Sequence, residues 1–260
     1  MVFDTRGRRR NVIRVVYAVL ALLMGASLFV AVGPFNLAEL IGTGGSGSAD
    51  EVLDEQAQRI EGRLAKDPTN EQLLLALTRT RIATGNAQVE VDPETQVPTI
   101  PQEARTNFET ASGAWDRYLK EVGDEPNASA AQLVAGTYFR LAESGGSTYG
   151  EVLSNVKSAA AAQRIAAAQR PSVGSLSTLA IYEFFGGEFA AGDAATKQSV
   201  ELAPSKAEGK SIEKQLDEYR KNAKRFTKEA QRASKVEAKA GKEQLQSPLG
   251  GLGLGGSIGE

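Results

Sequence analysis

Histidine and cysteine are both absent from this 260-residue chain. Their absence removes zinc and iron–sulfur sites, thiol nucleophiles, serine–histidine triads and disulfides together. It leaves the redox compartment open, since a cysteine-free chain suits either side of a membrane. Nothing in the pattern marks a catalytic lysine, and no paired carboxylates stand beside aromatic platforms of the kind a glycan hydrolase uses. The expectation is a protein that is not an enzyme and needs neither cofactor nor metal. Positive charge is missing from one long stretch as well: no lysine or arginine falls between Arg14 and Arg59.

With 41% hydrophobic and 24% charged residues, the chain can bury a globular core. Its net charge of −2 hides a division along the chain. Residues 1–48 sum to +3, 49–205 to −9 (13 basic, 22 acidic) and 206–245 to +5 (12 basic, 7 acidic). An acidic central region argues against nucleic acid as its partner.

Residues 15–32, VVYAVLALLMGASLFVAV, run for 18 positions without a charge. As a helix the run spans about 27 Å, close to the hydrocarbon thickness of a bilayer. Its ten Val, Leu and Phe residues are worth roughly −3 to −6 kcal/mol of insertion free energy as an upper bound. Five arginines precede it, at 6, 8, 9, 10 and 14. The reading is a basic cytoplasmic N-terminus over 1–14, a transmembrane anchor over 15–35 and an extracytoplasmic remainder, in a single-pass plasma-membrane protein. A cleaved signal peptide is the competing reading, but Pro34 would follow the cut at Ala31-Val32-Gly33 and block it. Ala21 and Gly25 form a small-xxx-small pair that either seats a helix dimer or faces lipid unpaired. The linker 42–49, containing GTGGSGS, reaches only about 15 Å root-mean-square. It keeps the following domain, and its partners, near the membrane surface.

From residue 50 the period becomes helical. Leu53, Ala57, Ile60 and Leu64 are spaced 4, 3 and 4 before Asp67-Pro68. A helix over about 70–83 follows, stopped by Gly85-Asn86. Residues 86–103 interrupt the next turn with three prolines, four acidic residues and no helical period. Such an insertion is either disordered or a contact element, in which Val89, Val91, Val97 and Ile100 pair as an extended patch. The pattern resumes at Ala104 with Phe108, Ala111, Trp115, Tyr118 and Val122, a stripe that assigns the single tryptophan to the core. A helical stretch after Pro126 leads to a turn at Gly145-Gly146, and a helix over about 149–169 follows. Two more helical patterns meet at Gly186-Gly187 inside Pro171–Pro204, a step of 33 residues. None of these amphipathic helices can bury its apolar face alone, so they must pack as hairpins against neighbours.

In this last unit Leu176, Leu179 and Ala180 stand at large, large and small positions. Gly187 is in the turn, Phe189 after it, Gly192 and Ser199 at small crossing points, and Pro204 at the close. The arrangement resembles a tetratricopeptide repeat, with Glu183 and Thr196 departing from it. Counting from Pro126 puts Ala135 and Gly136 at close-packing positions and Phe139 at the aromatic one. Counting from Pro68 puts Leu74 and Leu77 at large positions, with Thr78 and Arg81 departing. The resemblance covers roughly 50–205 and implies an all-α solenoid of helical hairpins. It implies an inner groove lined by Gln72, Leu75, Arg79 and Ile82, then Ala130, Leu133, Thr137 and Arg140, then Gly174, Ser177, Ile181 and Phe184. Arg79 and Arg140 are the formal charges in that groove. They either receive an acidic group of a partner or pair with neighbouring carboxylates.

From about residue 206 to 245 the chain reads as one charged helix. Ile212, Leu216, Tyr219, Ala223, Phe226, Ala230 and Ala233 alternate 4, 3, 4, 3, 4, 3. The same seam serves a cap on the last hairpin or a coiled coil joining copies of the chain. Its basic outer face is either solvated or touches anionic headgroups. Residues 246–260 are glycine-rich and read as disordered. The functional expectation is a membrane-anchored scaffold that binds a protein partner near the membrane surface, in envelope assembly or protein export. The alternative is a homo-oligomeric membrane spacer.

Overall fold

Short polar side chains start several of the helices by satisfying backbone donors that the first turn leaves open. The computed structural model describes residues 49–91, 98–143 and 148–240. In it Asn70 accepts from Leu73 N at 3.0 Å. Asn127 accepts from Ala130 N at 3.0 Å. Thr148 and Glu151 form a reciprocal capping box, as do Ser172 and Ser175. These caps open α2 (Glu71–Ala87), α4 (Ala128–Glu143), α5 (Tyr149–Gln169) and α6 (Val173–Phe185). The other helices are α1 (Ala49–Leu64), α3 (Gln102–Glu121), α7 (Phe189–Glu201) and α8 (Lys206–Ala240). The described residues are thus all-α, apart from a two-residue antiparallel ribbon, β1 (Glu90–Val91) with β2 (Pro98–Thr99).

Successive helices pack as hairpins: α2 with α3, α4 with α5, α6 with α7. α1 lies on α2, and α8 covers α6 and α7. Gly187 takes φ +87 in the α6–α7 turn, a conformation that side chains with a Cβ resist. At Gly192 an added Cβ would overlap the Phe184 ring and come within 3.1 Å of the Ala180 carbonyl oxygen. The glycine therefore sets how closely α7 crosses α6, as its place in the sequence pattern predicts. One buried core joins α1 to α4 through Leu74, Leu77, Trp115 and Val134. A second joins the end of α4 to α8 through Val152, Phe184, Phe185 and Leu216.

The residues that break the repeat pattern are explained by polar contacts. Arg81 donates to Glu61 and to Asn107, and bridges Asp54, tying α1, α2 and α3 together. Burial lowers its pKa, but the hydrogen bonds and charges of Glu61 and Asp54 outweigh that and raise it overall. Glu183, 1% exposed, accepts from Arg164, whose side chain is 59% exposed.

Two expectations need correction, at Gly85 and at Gly136. Helix α2 does not stop at Gly85 but continues to Ala87. There the ring of Phe108 occupies the space beside Gly85, within 2.5 Å of where a Cβ would sit. The glycine serves a helix crossing, and one more half-turn costs little when packing rewards it. Gly136 is not a crossing point. It is exposed, and a Cβ there would meet nothing within 4 Å. Ala135, one residue earlier, is fully buried. One residue rotates a helix by about 100°, so the two cannot both face the core. Of the 86–103 insertion, residues 92–97 lie outside the described set. Its two stems are ordered, with Val89 and Ile100 packed against Ala104, Phe108 and Leu141. The seam of α8 lies within its own chain: Leu216 and Ala223 are buried, and the Phe226 ring meets Tyr149 and Phe185.

No helix among the described residues is long and apolar enough to cross a membrane. The segments read as the basic N-terminus, the 15–35 anchor and most of the 42–49 linker lie outside those residues, as does the tail 246–260.

Candidate functional site

Among the described residues a cleft of about 800 Å³ lies between α4, the end of α5 and α6. Helix α4 contributes Gln132, Gly136 and Phe139, at helical spacings of 4 and 3. The missing side chain at Gly136 keeps that wall open. Helix α6 contributes Gly174, Thr178, Ile181 and Tyr182, and the α5–α6 turn adds Arg170 and Ser172. Below them Gln163, buried on α5, donates to the Ser175 carbonyl oxygen at 2.9 Å and ties the two helices together.

The rings of Phe139 and Tyr182 stack at 4.6 Å between centroids, joining α4 to α6 along the cleft. Burial pushes the Tyr182 phenol far above its ordinary value, and the nearby Glu143 carboxylate pushes it further. The phenol is therefore a neutral hydroxyl at any physiological pH. Burial also raises the Glu143 carboxyl, with Arg140 pulling the other way. The Arg170 guanidinium, exposed at one end, donates to Ser129 Oγ at 3.1 Å.

The walls of the cleft mix apolar side chains with polar groups and one cation, the Arg170 guanidinium. They lack a nucleophile poised against a base. Among the described residues no group of three or more acidic side chains is arranged to hold a metal ion.

Of the groove positions expected from the sequence, Gly174 and Ile181 line this cleft. Gln72 is exposed on α2, Leu75 half-buried and Ile82 buried. Ala130 is buried, Leu133 packs half-buried on the first core, and buried Thr137 donates to the Leu133 carbonyl oxygen. Ser177 bonds Ser199 across the α6–α7 hairpin at 2.8 Å. Phe184 is buried against Phe189. The two arginines bond amides: Arg79 donates to Asn127 at 3.0 Å, and Arg140 to Asn86. Arg79 Nε is buried with no hydrogen-bond partner, and burial lowers its pKa, the Tyr118 charge opposing.

Gln132 lies outside the expected groove positions because the frame on α4 is one residue out of phase; Thr178 and Tyr182 on α6 and Arg170 in the turn before it are not among the positions the resemblance implies. The signal for α4 is the pair Gln132 and Gly136, one turn apart on one helix face and exposed between buried Ala128 and Phe139.

A second concavity, about 770 Å³ between α7 and α8, carries interleaved charges of both signs, with Arg220 donating to Asp193 at 2.7 and 3.0 Å. No protein-family profile, curated protein or solved structure matches the chain.

Proposed function

We propose that this chain is a single-span plasma-membrane protein whose extracytoplasmic helical hairpins, of tetratricopeptide type, hold an extended segment of a protein partner. The partner lies in the cleft between α4 and α6. What carries the reading is the open, mixed apolar and polar character of that cleft, with Gly136 leaving room at its centre. The anchor rests on residues 15–32 and the arginines before them. The oligomeric spacer is the weaker reading, because the apolar seam of α8 up to Phe226 is taken by its own α5, α6 and α7.

The test is photo-crosslinking in intact cells, with the reactive side chain at Gln132 or Thr178 in the cleft. Exposed Glu109 on α3 serves as control. Both cleft positions should yield the same protein adduct, and Glu109 should not. Adducts that are absent, or identical from all three sites, would reject the cleft as the binding surface.

A further inference from the structure

Helix α8 is longer than the cap needs to be. Its last ring packed on the body is Phe226, against Tyr149 and Phe185. The helix runs 14 residues further, to Ala240, a projection of about 21 Å. The second half of the helix is strongly basic: residues 219–240 hold eight lysines and arginines against two glutamates.

The basic residues are also ordered on the helix. Lys221, Arg225, Lys228 and Arg232 follow each other at spacings of 4, 3 and 4, and the series continues in sequence to Lys235 and Lys239. Lys221, Arg225, Lys228 and Arg232 each stand two residues after a seam position, so the stripe is turned by about 200° from the packed side. Lys221, Lys224, Arg225, Lys228 and Arg232 are all exposed. Lys221 is paired with Asp217 and Glu218 on its own helix. Lys224 lies over the Phe189 ring. Arg225, Lys228 and Arg232 make no ion pair with any described residue, although Glu229 flanks them. A row of unpaired cations facing away from an acidic body fits a flat polyanionic surface.

We propose that this stripe docks on anionic phospholipid headgroups, giving the domain a second attachment to the bilayer. The proposal rests on the reading of residues 15–32 as a membrane anchor. Sixteen residues, 33–48, separate that run from α1, a contour of at most about 55 Å. Tethering on that scale makes the bilayer the polyanion that the stripe meets at the highest effective concentration. The seam positions beyond Phe226 are alanines in sequence, at 230 and 233. The stripe therefore adsorbs by charge and does not insert.

The test uses the full chain reconstituted into vesicles of phosphatidylcholine, alone or mixed with phosphatidylglycerol. Because the chain has no cysteine, Ala240→Cys carries a single fluorophore, read by a quencher attached to lipid headgroups. Quenching should be at least about tenfold stronger with phosphatidylglycerol and should fade at high salt. It should disappear in the combined variant Arg225→Gln, Lys228→Gln, Arg232→Gln, Lys235→Gln, while that variant's thermal melt stays unchanged. Equal quenching in both vesicles, or undiminished quenching by the neutralised variant, would overturn the proposal. So would capture of polyglutamate with no response to phosphatidylglycerol, which would assign the stripe to an acidic protein. Alkaline extraction separates this proposal from the anchor. A chain that resists extraction but stays unquenched sinks the stripe alone. A chain that is extracted yet quenched in the lipid-dependent way sinks the anchor alone.

Discussion

Glycines carry much of the information at the residue scale, and three of them do different work. Gly85 and Gly192 admit the rings of Phe108 and Phe184, while Gly136 stands over open space. Gly192→Ala should therefore lower stability by about 1–3 kcal/mol, the usual cost of overpacking. Gly136→Leu should leave the melting temperature close to the parent's and abolish crosslinking from Thr178, because the new side chain fills the cleft. Thermal melts of the two variants beside the crosslinking assay decide the point. A large loss of stability in Gly136→Leu would contradict the open geometry. Glu143 gives a pH prediction. Burial raises its pKa above the ordinary 4.5, so the folded state holds the proton more tightly than the unfolded chain does. The protonated group costs the fold nothing at low pH, and its ionisation destabilises the fold as pH rises through the raised value. Glu143→Gln should accordingly raise the melting temperature at neutral pH and lose that advantage below pH 4.5. An advantage that is the same at both pH values would mean burial is not its cause.

At the scale of elements, α8 is the piece whose role the chain leaves open and packing decides. Its 4, 3 alternation is legible in sequence, but a seam of that kind fits a cap and a coiled coil equally. Leu216 is 2% exposed, within the core shared with α5, α6 and α7. Leu216→Ala should cost about 2–4 kcal/mol through lost burial and the cavity left behind. Exposed Lys210→Ala should cost little, so matching melting temperatures would show that the helix does not cap the body. The insertion teaches the same lesson. Its prolines and acids announce an interruption of the helical period, yet its stems are held by Val89 and Ile100 on Phe108, a ring contributed by the next helix.

At the scale of the molecule, two facts set the functional reading. The hairpins leave an open cleft between α4 and α6, and charge is segregated between an acidic body and a basic outer helix. Both would be invisible in a residue count, since the net charge is only −2. The segregation also ranks partners. A polyanion approaching the body meets repulsion, whereas one approaching the outer part of α8 meets unpaired cations.

Helical period and the turn glycines at 186–187 are local properties, and the sequence alone determined them for α1, α5 and the α6–α7 hairpin. Each follows from backbone geometry within a few residues, where neighbours in the chain are neighbours in space. The cleft is different. Which face of α4 looks into it depends on how α4 crosses α2, α5 and α6, and a one-residue error in that rotation swaps Ala135 for Gly136 and Leu133 for Gln132. The fate of Arg79 likewise depended on Asn127, 48 positions away, and not on its own neighbours. Only the tertiary packing could decide these, because the free energy that sets a crossing angle comes from side chains that the sequence keeps far apart.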